Sequence, residues 1–222
     1  MKAPSFTTAW VITADQVRSR SRRDRVPAAL SRLSDVPTAR PFERTAGDEI
    51  QAVLPDAGAT LRAVEVLIRA GQWRVGVGCG LVETPLPAST RAGRGPAFVA
   101  AREAIERAHR SPQGMALRTG VVGRTAYART AAAQLADRAH DVETCLWLLI
   151  DLWGRRTTEG WAVVDLLESG LTGRESARRL DISPSAVSQR AASARYVEGS
   201  RGRQLAERML EDLAVLVARD AP

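Results

Sequence analysis

Residues 172–196 constrain the fold of this 222-residue chain more than any other stretch. They read TGRESARRLDISPSAVSQRAASARY, which predicts a helix over Gly173–Leu180, a three-residue turn and a second helix that begins after Ser183. Ser183 is a favourable N-cap, and Pro184 takes the first helical position, where its missing N–H loses no hydrogen bond. Two short helices joined by so short a turn are expected to pack closely against each other.

The pattern of small, apolar and polar residues in this stretch resembles the helix-turn-helix of DNA-binding proteins. The inward positions are Ala177, Leu180, Ile182, Ala186 and Val187. The outer face of the second helix carries Ser185, Ser188, Gln189 and Arg190. Such a helix enters the major groove, where Gln pairs well with adenine and Arg with guanine. Asp181 stands where the turn usually has Gly, and Asp tolerates the left-handed conformation. An ordinary helical hairpin is the alternative.

The composition is that of a globular protein, with 45% hydrophobic and 26% charged residues. The length of 222 residues is enough for one large domain or two small ones. The net charge of +7 and the pI near 10.7 suit a polyanionic partner. This signal has little weight, because Lys2 is the only lysine and the chain has no asparagine. Both biases are typical of a genome-wide base composition.

The apolar segments predict a cytoplasmic protein. No uninterrupted apolar run is longer than the one at residues 145–150, which is far too short to span a bilayer, and the first residues lack a signal-peptide core. Cys79 and Cys145 lie in apolar runs and are expected to be buried thiols rather than a disulfide. His109 and His140 are isolated in the sequence and are expected on helix surfaces.

The order of predicted elements indicates an α+β domain followed by a helical one. Strands are predicted at residues 8–14, 40–46, 49–54 and 73–81, with helices at 26–34 and 59–70. This β-α-β-β-α-β order is the ferredoxin-like arrangement, with strand order 4-1-3-2. A helix at 96–109 and an edge strand at 115–118 follow, and then helices at 126–152, 158–168 and 203–218. We expect domains at residues 1–122 and 123–222.

Two carboxylates are expected at one edge of the first domain. Asp15 ends the first strand, and Asp48 lies in the turn before the third, its antiparallel neighbour. Paired carboxylates suit Mg²⁺ or Mn²⁺, which also bind phosphate oxygens. Arg18 and Arg20, in the arginine cluster at 18–25, can then meet a triphosphate. Alternatively, Asp48 is a plain turn residue, Asp15 an N-cap and the arginines a solvated face.

The segment RVGVGCG, residues 74–80, alternates glycine with larger residues. Because side chains alternate along a strand, Gly76, Gly78 and Gly80 leave one face of this strand as bare backbone. Either a ligand or a neighbouring helix must then come close. Gly76 and Gly78 are therefore candidate nucleotide-binding residues, although no helix opens here as a dinucleotide motif requires.

Four motifs together resemble the SatD family, bacterial members of which carry a C-terminal helix-turn-helix. They are ITADQVRSR at 12–20, AGDEIQ at 46–51, RVGVGCG at 74–80 and GPAFVAAREAI at 95–105. Domains of this kind look like nucleotide cyclase catalytic domains, in which matching aspartates hold two metal ions. The resemblance implies that role for Asp15 and Asp48. Class III cyclases also use an Asn and an Arg, and this chain has no Asn.

Two functions remain open from the sequence. In the first, the chain is a DNA-binding transcriptional regulator whose cyclase-like domain binds a metal or nucleotide as a sensor, or mediates assembly. In the second, it is a metal-dependent nucleotide-converting enzyme with a DNA-binding module. The missing Asn favours the first.

The end of the chain bears on DNA contacts and on assembly. Residues 197–203 are too short and polar for a two-stranded wing, so the motif is expected to be wingless. Arg201 is placed for phosphate contacts, although a solvated linker is the alternative. The final helix carries a stripe of Leu205, Met209, Leu213 and Leu216. This stripe packs on its own domain or pairs with a second copy in a homodimer.

Overall fold

The computed structural model describes residues 5–19, 23–120 and 126–219, with side chains from residue 132 onward in the last range. The chain forms two compact units, and the second is Leu148–Leu205. The first unit contains β1 (Ser5–Gln16), α1 (Val26–Leu33), β2 (Arg40–Ala46), β3 (Glu49–Leu54), α2 (Ala57–Ala70), β4 (Trp73–Thr84), α3 (Pro96–Ala108) and β5 (Met115–Thr119). The remaining helices are α4 (Ala126–Gly154), α5 (Thr158–Glu168), α6 (Gly173–Leu180), α7 (Pro184–Ser193) and α8 (Tyr196–Arg219).

The first unit is an α+β structure built on a five-stranded sheet in the order β2-β3-β1-β4-β5. Read from β4 to β2, this is the expected 4-1-3-2 order, with β5 added beside β4. Strand β1 pairs antiparallel with β3 and β4, and β5 pairs parallel with β4. The predicted bounds of β2, β3, α5 and α6 are confirmed.

Helix α3 lies directly on the glycine face of β4. A Cβ atom on Gly76 would come 2.3 Å from the backbone nitrogen of Ile105, and one on Gly78 would come 2.3 Å from the carbonyl oxygen of Ala97. The helix presents mainly alanines to the sheet, and Ala97 and Ala101 are fully buried. Of the two explanations for the alternating glycines, helix packing is therefore confirmed.

Side chains of α4 form hydrogen bonds to the backbone at the outer edge of β5. The backbone N–H of Leu117 donates to Glu143 Oε2 over 2.8 Å, and Trp147 Nε1 donates to the carbonyl of Met115 over 2.8 Å. Glu143 is fully buried, and Arg107 and Arg118 each lie 3.6 Å from one of its oxygens. The first compact unit thus extends to Trp147, beyond the expected division at residues 122 and 123.

A loop covers the opposite edge of the sheet, at β2. Arg40 in this strand donates through its guanidinium to the carbonyls of Leu86 and Pro87. The hydroxyl of Thr90 donates to the carbonyl of Pro41 over 3.1 Å. The pairing of β2 with β3 also shifts register twice. The pairing of β2 is therefore irregular, and a loop lies beside this strand.

The residues between α7 and the final helix differ from the expected linker. Residues 197–203 belong to α8, which begins at Tyr196. The predicted apolar stripe of α8 is also displaced by one residue at most positions: the buried residues are Ala206, Leu210, Leu213 and Val217. Leu205 is 46% exposed. Glu198, Arg201, Arg203 and Gln204 around the two glycines are good helix formers, so the helix continues through this segment.

Two further features concern the environment of the chain. Cys79 is fully buried, and burial raises its pKa to about 12, whereas Cys145 is half-buried. Among the described residues, no helix combines the length and the apolar character needed to cross a membrane.

The close packing of α3 on β4 makes Gly78 intolerant of a side chain. We expect Gly78→Ala to lower the free energy of unfolding by ~1–3 kcal/mol or more, because backbone must move to admit the methyl group. Urea unfolding followed by circular dichroism measures the loss. Gly154→Ala is the control, since nothing lies within 4 Å of a Cβ there. An unchanged midpoint for Gly78→Ala would contradict the packing argument.

Candidate functional site

The sheet places the two predicted carboxylates close to each other. Asp15 is the penultimate residue of β1 and pairs with Glu49 on β3 and with Arg74 on β4. Asp48 directly precedes Glu49 in the turn between β2 and β3. The negative charge of Asp48 contributes to raising the pKa of Asp15, so the two groups interact electrostatically.

Asp15 is engaged by two basic side chains of the same unit. Arg74 Nη1 donates to Oδ1 over 3.5 Å, and His109 Nε2 lies 3.1 Å from Oδ2. The side chain of Asp15 is only 18% exposed. Burial raises its pKa above the ordinary value of 3.8, and His109 and Arg74 partly oppose that rise. Asp15 is therefore the acidic centre of an ion-pair cluster.

This arrangement does not fit a divalent metal ion. Both oxygens of Asp15 already contact a basic group, and a cation between Asp15 and Asp48 would have to displace Arg74 and His109. Mg²⁺ and Mn²⁺ also need several oxygen ligands. The described part of the chain holds no cluster of three or more His, Cys, Asp or Glu suited to a metal. The metal site expected at Asp15 and Asp48 therefore stays a prediction, which the contacts of Asp15 disfavour.

The predicted nucleotide-binding residues do not converge on one site. Gly76 and Gly78 lie under α3, so the face expected to meet a nucleotide is filled by protein. Arg18 is exposed, with a left-handed φ of 59° just after β1. Arg20 lies outside the described residues. Packing of α3 therefore uses the bare backbone of both glycines, which disfavours the nucleotide contact predicted for them.

In the second unit, α6 and α7 form the predicted pair of helices around a tight turn. Asp181 adopts the left-handed conformation, with a φ of 52°. The side chain of Ser183 caps α7 by accepting from the N–H of Ala186 over 3.1 Å. Thr172 and Glu175 form a capping box at the start of α6. Local chemistry thus fixes both helix starts and the turn between them.

The inner face of this pair packs on α5. Ala177 and Val187 are 3% and 2% exposed, and both contact Val163 of α5, which is fully buried. Leu180 and Ile182 pack around them and are partly buried. Four of the five residues predicted to face inward lie in this cluster, whereas Ala186 is half-buried outside it. The partner helix α5 was not predicted.

The outer face of α7 carries the residues predicted to contact DNA. Ser185, Ser188 and Gln189 are exposed, and Arg190 is half-buried. The hydroxyl of Ser188 donates to the carbonyl of Pro184 over 3.1 Å, so its oxygen keeps the capacity to accept a hydrogen bond. These four residues therefore lie within two consecutive turns of α7.

Arg156 fixes the end of α7 and was not predicted from the sequence. Its Nε donates to the carbonyl of Ala194 over 2.8 Å, and its guanidinium stacks 4.5 Å from the ring of Trp161. A Cβ on Gly199 would lie 2.1 Å from Arg156 Nη2, so this glycine makes room for the guanidinium. The only available signal is an arginine between two helices, which is too common to be informative.

The two arginines near the start of α8 differ in their surroundings. Arg201 is exposed on the helix surface. Arg203 is 22% exposed, lies 3.7 Å from Glu168 and stacks 5.5 Å from the ring of Trp153. Arg201 is thus the one of this pair that remains accessible to a phosphate.

The raised pKa of Asp15 predicts a pH dependence that Asp15→Asn removes. The folded protein binds this proton more tightly than the unfolded chain, so ionisation of Asp15 costs stability as pH rises above 3.8. We expect the unfolding free energy of the wild type, relative to the variant, to fall as pH rises from about 4 and then to level off. Urea titrations of both proteins measure it. A difference that grows with pH would contradict this picture.

Comparison with known proteins assigns no family. No family profile matches the chain, and no curated protein matches its sequence. Among solved structures, one of a bacterial light-regulated adenylyl cyclase is similar with 15% identity and a TM-score of 0.37, covering 49% of this chain and 42% of the cyclase. A second structure under the same description has 14% identity and a TM-score of 0.36, and the match covers 50% of this chain and 43% of the cyclase. The chain thus spans less than half of these structures, and such scores establish neither fold nor activity.

Proposed function

We propose that this protein is a DNA-binding transcriptional regulator that reads the major groove with α7. The observation that supports this most is the division of α7 into two faces. Val187 is 2% exposed on the inner face, whereas Ser185, Ser188 and Gln189 are exposed on the outer face. A helix held from behind, with amide and hydroxyl groups in front, suits the reading of base edges.

The chemistry of the predicted contact residues, of which Arg190 is half-buried, gives each a distinct role. Gln189 offers one donor and one acceptor, the pair needed at the edge of adenine, and Arg190 suits guanine. Ser185 and Ser188 bond to bases or phosphates. Arg201 on α8 contacts the phosphate backbone. The residues after α7 are helical, which is consistent with a wingless motif.

In this proposal the sheet-containing unit is a sensor or assembly module with a ferredoxin-like, cyclase-like arrangement. The alternative, metal-dependent nucleotide conversion, requires Asp15 to hold a metal ion. Its contacts with Arg74 and His109 disfavour that role. Selection of genomic DNA fragments by the purified protein tests the proposal, which fails if no sequence is enriched over random fragments.

Replacement of Gln189 tests direct base readout. We expect Gln189→Ala to weaken binding to the selected sequence by about 1–3 kcal/mol and to relax preference at one base pair, because a bidentate contact is lost. Fluorescence anisotropy with specific and random duplexes measures both effects. Gln204→Ala, at an exposed glutamine of α8, is the matched control. Equal losses on specific and random DNA would refute the readout role.

Replacement of Arg201 tests the phosphate contact. We expect Arg201→Ala to weaken specific and random duplexes by a similar factor and to reduce the slope of log affinity against log salt by about 1, because one phosphate contact is lost. Anisotropy titrations over a series of salt concentrations provide the slope. An unchanged slope would exclude Arg201 from the interface.

A further inference from the structure

The first unit contains a concave, arginine-rich pocket away from Asp15. Its volume is about 440 Å³, and it is formed by the start of α1, the end of α2 and the start of β4. Arg23, Arg25 and Arg32 line it, with Trp73 among its walls. Gln16 of β1 pairs with Trp73 of β4, directly beside the pair formed by Asp15 and Arg74. Because alternate residues face opposite sides, the pocket and the Asp15 cluster belong to opposite faces of the sheet.

Helix periodicity places the arginines around an open centre. Arg25, Ala28, Ala29 and Arg32 follow the spacing of one helix face, and all four line the pocket. Arg25 and Arg32 are separated by about two turns, or roughly 10 Å along the axis. The two alanines between them are small, so the space between the guanidinium groups stays open.

A buried amide fixes the backbone that carries two of these arginines. Gln16 is 2% exposed. Its Nε2 donates to the carbonyl of Arg23 over 2.8 Å, and its Oε1 accepts from the N–H of Arg25 over 2.9 Å. The backbone is thereby tied to the sheet at Arg23 and Arg25. This preorganisation lowers the entropy cost of binding an anion there.

The acidic residue of the pocket is already neutralised. Asp24 pairs with Arg44 through Oδ2, and its Oδ1 accepts from the N–H of Val26 over 2.9 Å. Within the described part of the chain, no carboxylate forms an ion pair with Arg23, Arg25 or Arg32. Three guanidinium groups therefore face one pocket without internal compensation.

We propose that this pocket binds a small anion with two or more linked phosphoryl groups. Guanidinium groups bind phosphate oxygens in pairs, and three of them around an open centre match a chain of phosphates better than a single one. The volume lies within the range of about 300–1,000 Å³ usual for small-molecule sites. A concave pocket of this size favours a free polyphosphate, or the triphosphate of a nucleotide, over duplex DNA.

Isothermal titration of the full chain with inorganic tripolyphosphate at physiological salt, without DNA or metal, tests the site. We expect saturable binding that weakens about tenfold or more in the double variant Arg25→Ala, Arg32→Ala, because two charge-assisted contacts are lost. Arg102→Ala, at an exposed arginine of α3, is the matched control and should bind like the wild type. Arg32→Gln alone, checked by circular dichroism, keeps the test valid if the double variant unfolds.

The arms of the experiment separate the sources of the phosphates. Equal affinity for tripolyphosphate and ATP identifies the phosphate chain as the ligand, and tighter binding of ATP identifies a nucleotide; either result supports the site. Absence of binding overturns the proposal. The proposal is also overturned if Arg102→Ala weakens tripolyphosphate binding as much as the double variant does. It is likewise overturned if sulfate competes as well as tripolyphosphate itself, or if random duplex DNA at matched phosphate concentration displaces tripolyphosphate. Gln189→Ala should bind tripolyphosphate normally, so failure here and failure of DNA binding are distinguishable.

Discussion

The contact between the bare backbone of β4 and helix α3 is the constraint on which the sheet unit depends. With Gly76 and Gly78 lacking side chains, the helix approaches until backbone meets backbone, and alanines fill the remaining space. That approach sets the height of α3 above the sheet. It also determines where the end of α3 lies, and so brings His109 within 3.1 Å of Asp15.

The same contact explains why the alternating glycines have two opposite interpretations. A glycine face on a strand is needed whenever anything comes very close, whether a phosphate or a helix. In this chain the close neighbour is a helix, because the alanine-rich α3 follows β4 along the chain and packs on this face. Because α3 occupies this face, no bare backbone is left open there for a ligand.

Most of the fold could be predicted from the sequence, and the reasons are local. The signals that set the bounds of the elements act within a few residues of themselves. They are the hairpin residues Gly47 and Asp48, the caps Ser183 and Thr172, and the runs rich in residues that favour strands. The partners of Asp15 could not be predicted, because Arg74 and His109 come from distant elements. The same two aspartates suit a metal or an ion pair, and only tertiary contacts decide. Arg156 was missed for the same reason, whereas the start of α8 was missed because Gly199 and Gly202 among polar residues indicate a linker.

The occupied edges of the sheet have a consequence for the behaviour of the protein in crowded solution. An open edge strand is a template on which another extended chain can add by main-chain hydrogen bonding. Here Glu143 and Trp147 use the outward groups of β5, and the loop at residues 86–91 lies along an irregular β2. Growth of the sheet by strand addition is thereby hindered at the β5 edge by hydrogen bonds, and at the β2 edge by the irregular pairing and the neighbouring loop.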